Sequence, residues 1–184
     1  KIDPALQSAR VLVFGSLALR HQPNQKSLND LLKYKLFMVF DVNLRPPHFD
    51  LSWIEGMIKK ADLIKMNDEE LDYLYASSLD FQESDSIDEK CAKLSAFDAN
   101  KIWCVTLGGA GARLFVDGFW YAHSGYVVEV MDTVGAGDSF LAALIQELII
   151  EKRGPDQALD TAVQIGSIVA AKAGANPEIS AMDL

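Results

Sequence analysis

The sequence predicts an α/β fold in which a mostly parallel sheet carries helices on both faces. Short apolar segments alternate along the chain with segments of helical periodicity, which is the order expected of βαβ units. The apolar segments are continuously apolar and do not alternate with polar residues, which is typical of strands covered on both sides.

Four segments predict strands of this sheet, and a fifth pattern predicts a hairpin. Each of the four is short, rich in β-branched or aromatic residues, and followed by glycine or polar residues. They are Arg10–Gly15, Leu36–Val42, Ala61–Met66 and Ile102–Leu107. β signals in residues 112–116 and 120–130 flank Asp117-Gly118, a dipeptide that favours tight hairpin turns.

Helices are predicted where apolar residues recur three and four positions apart. The predicted helices are Ser27–Tyr34, Trp53–Lys60, Asp68–Tyr75, Glu89–Phe97, Ser139–Lys152 and Gln157–Ala173. The helix at 139–152 has the strongest pattern, and Gly154-Pro155 is expected to end it. The acidic, polar segment Ser77–Asp88 predicts an excursion over the surface.

Length and composition favour a globular protein of the cytoplasm. The 184 residues predict a single α/β domain over 1–184. A net charge of −9 disfavours nucleic acid and anionic membranes as partners, and no apolar run reaches the roughly 20 residues of a membrane helix. Two cysteines give neither a disulfide framework nor a zinc pattern. The chain begins at Lys1, not at Met, so we expect it to be the later part of a longer protein.

The segment Asp132–Asp138 predicts a phosphate-binding loop with a candidate catalytic base. Gly135 and Gly137 allow the backbone to approach a ligand, and Ala136 adds little bulk. The helix that follows offers free N–H groups and the positive end of its dipole. Asp138, in its first turn, is suited to accept a proton from an attacking hydroxyl. The alternative is a glycine-rich turn in which Asp138 only caps the helix.

Three further motifs follow predicted strands, and each has a structural alternative. Asn67–Glu70 has an amide and a carboxylate one helical turn apart, which suits Mg²⁺ and its waters or simply a helix cap. The glycines after Thr106, namely Gly108, Gly109 and Gly111, suit a nucleotide lying against the backbone or a strand-to-strand turn. In Asp41–Pro46, Arg45 offers a guanidinium fork at a strand end, which suits an anionic ligand or a surface salt bridge.

The stretch Asp132–Phe140 resembles the second signature of the PfkB (ribokinase-like) carbohydrate kinases, D-T-x-G-A-G-D-x-F, and meets every fixed position. The resemblance extends from about Ala9 to Ala175. It implies that 1–184 is a single nucleotide-binding and catalytic domain with a ribokinase-like fold. Members of this family phosphorylate sugars or nucleosides with ATP and Mg²⁺. The family's glycine-rich first signature and its small β lid are absent from this chain.

The resemblance also implies roles for individual residues. Asp138 is then the catalytic base that contacts the substrate, and the amides of Gly135–Asp138 form the anion hole. Asn67–Glu70 matches the N-x-x-E motif, which orders Mg²⁺ and phosphate, and Thr106–Gly111 matches the T-L-G-x-x-G nucleotide loop. Asp41–Pro46 resembles D-x-N-x-R, which places Asn43 at the phosphates and Arg45 at the sugar or phosphoryl group.

A monovalent cation such as K⁺ is implied as well. The family often holds it between the aspartate that opens the signature, here Asp132, and carbonyls near the end of the chain. Lys172–Ala175 resembles the usual loop. Among sugars, fructose is favoured because Gly15–Leu19 and Asp41–Pro46 look most like bacterial fructokinases. 2-Keto-3-deoxygluconate, ribose and nucleosides remain open, as does a truncated, non-catalytic nucleotide-binding module. Family lids often pair, so a homodimer is possible.

Overall fold

The structure, a computed structural model, describes residues 4–47, 49–76 and 78–180. The chain start at Lys1–Asp3 and Ser77, the first residue of the expected surface excursion, lie outside the described residues. The chain divides into two compact units, Lys1–Cys104 and Val105–Leu184. The single catalytic domain over 1–184 stays a prediction.

The first unit contains alternating helices and strands. Its helices are α1 (Pro4–Ser8), α2 (Gln22–Leu31), α3 (Leu51–Lys60), α4 (Asp68–Tyr75) and α5 (Ile87–Phe97). Its strands are β1 (Val11–Gly15), β2 (Phe37–Asp41), β3 (Leu63–Asn67) and the first part of β4 (Ile102–Thr106), which lie side by side in that order. A short 3₁₀ helix, Ser16–Arg20, follows β1 directly.

Strands β1, β2 and β3 are parallel, as the uniformly apolar segments predicted. Val11 pairs with Phe37 and Val39 with Leu63, so the three strands end together at one edge. Residues 38–40 and 63–66 are buried, including Lys65. Continuous burial of this kind explains why these strands lack a polar face.

The second unit contains a hairpin and two helices. Strand β5 (Ala112–Val116) pairs antiparallel with β6 (Phe119–His123), and Val116 faces Phe119 across the predicted Asp117-Gly118 turn. Helix α6 (Ala136–Leu144) continues as a π-helical segment, Ile145–Ile150, before α7 (Pro155–Ala170). A Cβ added to Gly166 would lie 3.3 Å from the Ala136 carbonyl oxygen and the Phe140 Cβ, so α6 and α7 pack closely.

Several predicted boundaries were wrong. Helix α2 begins at Gln22, five residues before Ser27, because Pro23 is accommodated in the first turn, where no N–H bond is lost. The β signals of 120–130 end as a strand at His123, and Gly125 adopts a positive φ of 88°. Helix α6 begins at Ala136 because Gly135, with φ 83°, caps it, and α7 ends at Ala170, not Ala173.

Among the residues that the structure describes, no helix combines the length and the apolar character needed to cross a membrane.

The Cys104 thiol should resist alkylation in the folded protein. Burial raises its pKa to about 12, and the side chain has no exposed surface. The thiolate is the reactive form, so labelling at pH 8 should be far slower than for a free cysteine. Mass spectrometry of iodoacetamide-treated protein, with a urea-unfolded sample as control, measures this. Equal labelling rates in the two samples would contradict the described burial.

Candidate active site

A buried ion pair joins the ends of β2 and β3. The Lys65 ammonium lies 3.1 Å from an Asp41 carboxylate oxygen, and each side chain is 10% exposed. The Val42 N–H donates to the Lys65 carbonyl at 2.9 Å. The ion pair and this hydrogen bond therefore hold in place the start of the segment that carries Asn43 and Arg45. Sequence reasoning missed Lys65, although a lysine within an otherwise apolar strand is a signal that a buried partner is present.

Asn43 and Arg45 lie in the loop that follows this ion pair. Asn43 has a positive φ of 39°, and its carbonyl accepts a hydrogen bond of 2.9 Å from the Ser16 hydroxyl. Arg45 is exposed, and its guanidinium makes only a long 3.4 Å contact with the carbonyl of Leu44. Within the described residues it has no carboxylate partner. The salt-bridge alternative for Arg45 is therefore not seen, and the guanidinium is free to bind an anion.

Asn67 and Glu70 form a reciprocal capping box at the start of α4. The Glu70 N–H donates to Asn67 Oδ1 at 2.7 Å, and the Asn67 N–H donates to Glu70 Oε2 at 2.9 Å. The helix-cap alternative is thus confirmed for this motif. The other oxygen of Glu70 accepts a 2.6 Å bond from the Leu44 N–H, so the carboxylate also contacts the loop of Asn43 and Arg45.

The arrangement of Asn67 and Glu70 fits Mg²⁺ held through water. All three side-chain oxygens already accept a backbone N–H. No group of three or more His, Cys, Asp or Glu side chains suited to a metal occurs in the part of the chain that the structure describes. Mg²⁺ commonly keeps several waters and uses few protein ligands, so these oxygens can act as acceptors for its hydration shell.

Asp132 anchors the signature loop of the second unit. One carboxylate oxygen accepts the Val134 N–H at 3.0 Å, and the other accepts the Gly174 N–H at 3.2 Å. The carboxylate therefore reaches the 172–175 loop that the family resemblance paired with it. Both contacts come from N–H groups, which are not cation ligands, so the monovalent cation at Asp132 stays a prediction.

Residues Gly135–Asp138 present backbone N–H groups at the start of α6. A Cβ added to Gly135 would lie 2.0 Å from the Ala175 carbonyl oxygen, so only glycine fits this turn. The Ala136 N–H is used in a 3.3 Å bond to Thr133, whereas those of Gly135, Gly137 and Asp138 have no partner among the described residues. Three free N–H groups at a helix N-terminus favour an anion.

Asp138 does not cap α6. Gly135 occupies the cap position, no side-chain capping bond is made there, and Asp138 lies exposed in the first turn. The capping alternative for Asp138 is therefore wrong. An exposed carboxylate beside free N–H groups can accept a proton from a ligand held by those groups.

The glycine loop after Thr106 packs against a segment that sequence reasoning missed. Residues 108–110 form one 3₁₀ turn between β4 and β5, which confirms the turn alternative. A Cβ on Gly111 would lie 2.0 Å from the His123 carbonyl oxygen, and a Cβ on Gly125 would lie 2.3 Å from that of Gly109. Gly125 thus shapes the predicted nucleotide loop. Its signal was a glycine shortly after a strand pattern.

A pocket of about 360 Å³ lies in the first unit, beside the residues that follow β1 and β2. Ser16, Arg20, Phe49 and Trp53 are among the residues that line it. None of the predicted site residues does, although Ser16 connects its wall to Asn43 through the hydrogen bond described above.

Comparison with known proteins places these motifs in a family. The model of the pfkB family carbohydrate kinases matches residues 1–182. The chain belongs to this family. It is 31% identical to the probable fructokinase-3 of Arabidopsis thaliana over 190 aligned residues, covering 95% of this chain and 53% of that protein.

Solved structures agree with the pfkB assignment. A Vibrio cholerae fructokinase with bound fructose, ADP and calcium is 25% identical, with a TM-score of 0.76 over 91% of this chain and 56% of that one. The ribokinase of Thermotoga maritima is 18% identical, with a TM-score of 0.69 over 93% of this chain and 53% of the ribokinase chain. At this identity, the similarity is evidence for the fold and not for the function. The α/β, ribokinase-like fold is thereby confirmed. The chain spans about half the length of these relatives.

Replacing Gly135 with alanine should destabilise the folded protein by at least about 1 to 2 kcal/mol. The positive φ disfavours a side chain, and the new Cβ would meet the Ala175 carbonyl. Gly56→Ala is the matched control, because its added Cβ would meet nothing within 4 Å beyond its chain neighbours and the backbone of its own helix. It should stabilise α3 by about 0.5 to 1 kcal/mol. Equilibrium urea unfolding measures both. Equal effects of the two substitutions would refute the close approach at Gly135.

Proposed function

We propose that the protein is an ATP-dependent sugar kinase that transfers the γ-phosphate of ATP to a sugar hydroxyl. The observation that carries the proposal is the start of α6, where three free N–H groups stand beside the exposed carboxylate of Asp138. Phosphoryl transfer needs mainly positioning, charge neutralisation and one oriented base. This loop offers an anion site and a base within one helical turn.

In the proposed reaction, Asp138 accepts the proton of the attacking sugar hydroxyl, whose oxygen forms the new bond to the γ-phosphorus as the bond to ADP breaks. The N–H groups of Gly135, Gly137 and Asp138 stabilise charge that develops on the phosphoryl oxygens. The Ala136 N–H, already bonded to Thr133, contributes less than the resemblance implied. Asp138 thus has two roles, as base through its side chain and as donor through its backbone.

Residues of the other motifs have proposed roles in binding. Thr106, Gly108, Gly109 and Gly111 bind the nucleotide, Asn43 its phosphates, and Arg45 the sugar or phosphoryl group. Asn67 and Glu70 would hold Mg²⁺ through its waters, and Asp132 a monovalent cation such as K⁺. When bound, Mg²⁺ supplies positive charge that offsets the charge of the phosphates.

Fructose is the proposed acceptor. Support comes from the similarity to the Arabidopsis probable fructokinase-3 and to the Vibrio fructokinase whose structure contains fructose. 2-Keto-3-deoxygluconate, ribose and nucleosides are the alternatives. A cytoplasmic location and a homodimer stay predictions.

Asp138→Asn should lower the rate of ATP consumption with fructose and Mg²⁺ by several orders of magnitude, because an amide cannot accept the proton. Asp156→Asn is the matched control, since Asp156 is also an exposed aspartate in the first turn of a helix, α7. It should turn over like the parent. A coupled assay of ADP release measures both, with the alternative acceptors tested in parallel. Parent-like turnover in Asp138→Asn would rule out Asp138 as the base.

A further inference from the structure

The peptide group between Asn43 and Leu44 is held at both of its polar ends. Its carbonyl accepts a 2.9 Å hydrogen bond from the Ser16 hydroxyl, and its N–H donates to Glu70 Oε1 at 2.6 Å. Ser16 is 4% exposed and Glu70 is 7% exposed, so water competes little for either bond. The two side chains come from separate elements, the 3₁₀ helix after β1 and the start of α4.

This peptide group is where the loop adopts a strained conformation. Asn43 has φ 39°, in the left-handed region that residues with a Cβ occupy at an energetic cost. Asparagine tolerates that region better than most residues, but a strained residue persists only when its surroundings hold it. The hydrogen bonds from Ser16 and to Glu70 are two such restraints, on either end of one peptide plane.

The orientation of this plane determines where Asn43 and Arg45 point. Asn43 precedes the held peptide group directly, and Arg45 follows it after a single residue. Arg45 is exposed, with only a long contact to its neighbour's carbonyl, so its direction depends on the backbone that carries it. A rotation of the peptide would therefore move both side chains.

We propose that Ser16 and Glu70 are positioning residues that clamp the Asn43–Leu44 peptide and so present Asn43 and Arg45 to the phosphate groups. The inference rests on the proposed kinase function. It gives Ser16 a role that no motif assigned. It also gives Glu70 a role distinct from binding Mg²⁺, since one of its oxygens holds the loop while the other caps α4.

The kinetic test compares Ser16→Ala and Glu70→Gln with the parent. Each should raise the KM for ATP about 3- to 10-fold, the change expected for one lost buried hydrogen bond, with a smaller fall in kcat. In Ser16→Ala, which leaves Asn67 and Glu70 intact, the Mg²⁺ concentration for half-maximal rate should not change. The double variant should be less impaired than the product of the single effects, because both bonds hold one peptide. Ser16→Thr, which keeps the hydroxyl, should recover most of the loss.

Ser27→Ala is the matched control. Its hydroxyl also donates to a backbone carbonyl, that of Pro23 at 3.0 Å, but it lies exposed on α2. It should leave the KM for ATP unchanged. If Ser16→Ala does not fold, Ser16→Cys, which is close in size but a weaker donor, replaces it.

Hydrogen exchange of the Leu44 amide gives a readout that needs no activity. Exchange should be at least about tenfold faster in Glu70→Gln and in the Ser16 variant than in the parent, and unchanged in Ser27→Ala. If the Leu44 amide exchanges faster in the variants but the parent does not phosphorylate sugars, the clamp is supported and the kinase proposal is refuted. Unchanged Leu44 exchange would overturn the clamp. So would normal kinetics in Ser16→Ala together with a higher Mg²⁺ requirement in Glu70→Gln, which would leave Glu70 with its proposed Mg²⁺ role alone.

Discussion

The common edge at which β1, β2 and β3 end is the constraint on which the first unit depends. Gly15, Asp41 and Lys65 are in register across the three strands. Loops that leave parallel strands at one edge are crowded, and their backbone groups need partners once the ladder stops. The structure meets this need with side chains, since Ser16 bonds to the Asn43 carbonyl and Glu70 to the Leu44 N–H. The ion pair of Lys65 with Asp41 joins the ends of two of the strands.

The second unit meets a similar demand by bringing backbone directly against backbone. Gly111, Gly125 and Gly135 each have a positive φ and a carbonyl oxygen where a Cβ would lie. Buried polar side chains thus hold the loops of the first unit, whereas the loops of the second unit depend on glycines, which have no side chain. The first solution holds the loops through hydrogen bonds, and the second leaves the N–H groups of Gly135, Gly137 and Asp138 without a partner among the described residues.

The sequence predicted much of the fold and of the candidate site, and the features that it did not predict were missed for physical reasons. The parallel strands and the Asp132–Asp138 motif were predictable because apolar continuity and glycine spacing are local signals. The start of α6 was missed because Gly135 caps it with backbone conformation and no side-chain oxygen. Ser16, Lys65 and Gly125 were missed because their partners lie far along the chain: Ser16 and Asn43 are 27 residues apart. The capping box at Asn67–Glu70 was visible locally, but the bond from Glu70 to Leu44 was not.

The hydrogen bond from Gly174 to Asp132 closes a chain segment of 42 residues that contains α6 and α7. Contacts between residues so distant form only after the intervening chain has become compact, because closing a long loop carries an entropic cost. The turn at Asp132–Gly135 therefore acquires its final form when the α6–α7 helical hairpin has already assembled. A chain in which both helices had formed but had not packed would still lack the Asp132–Gly135 turn.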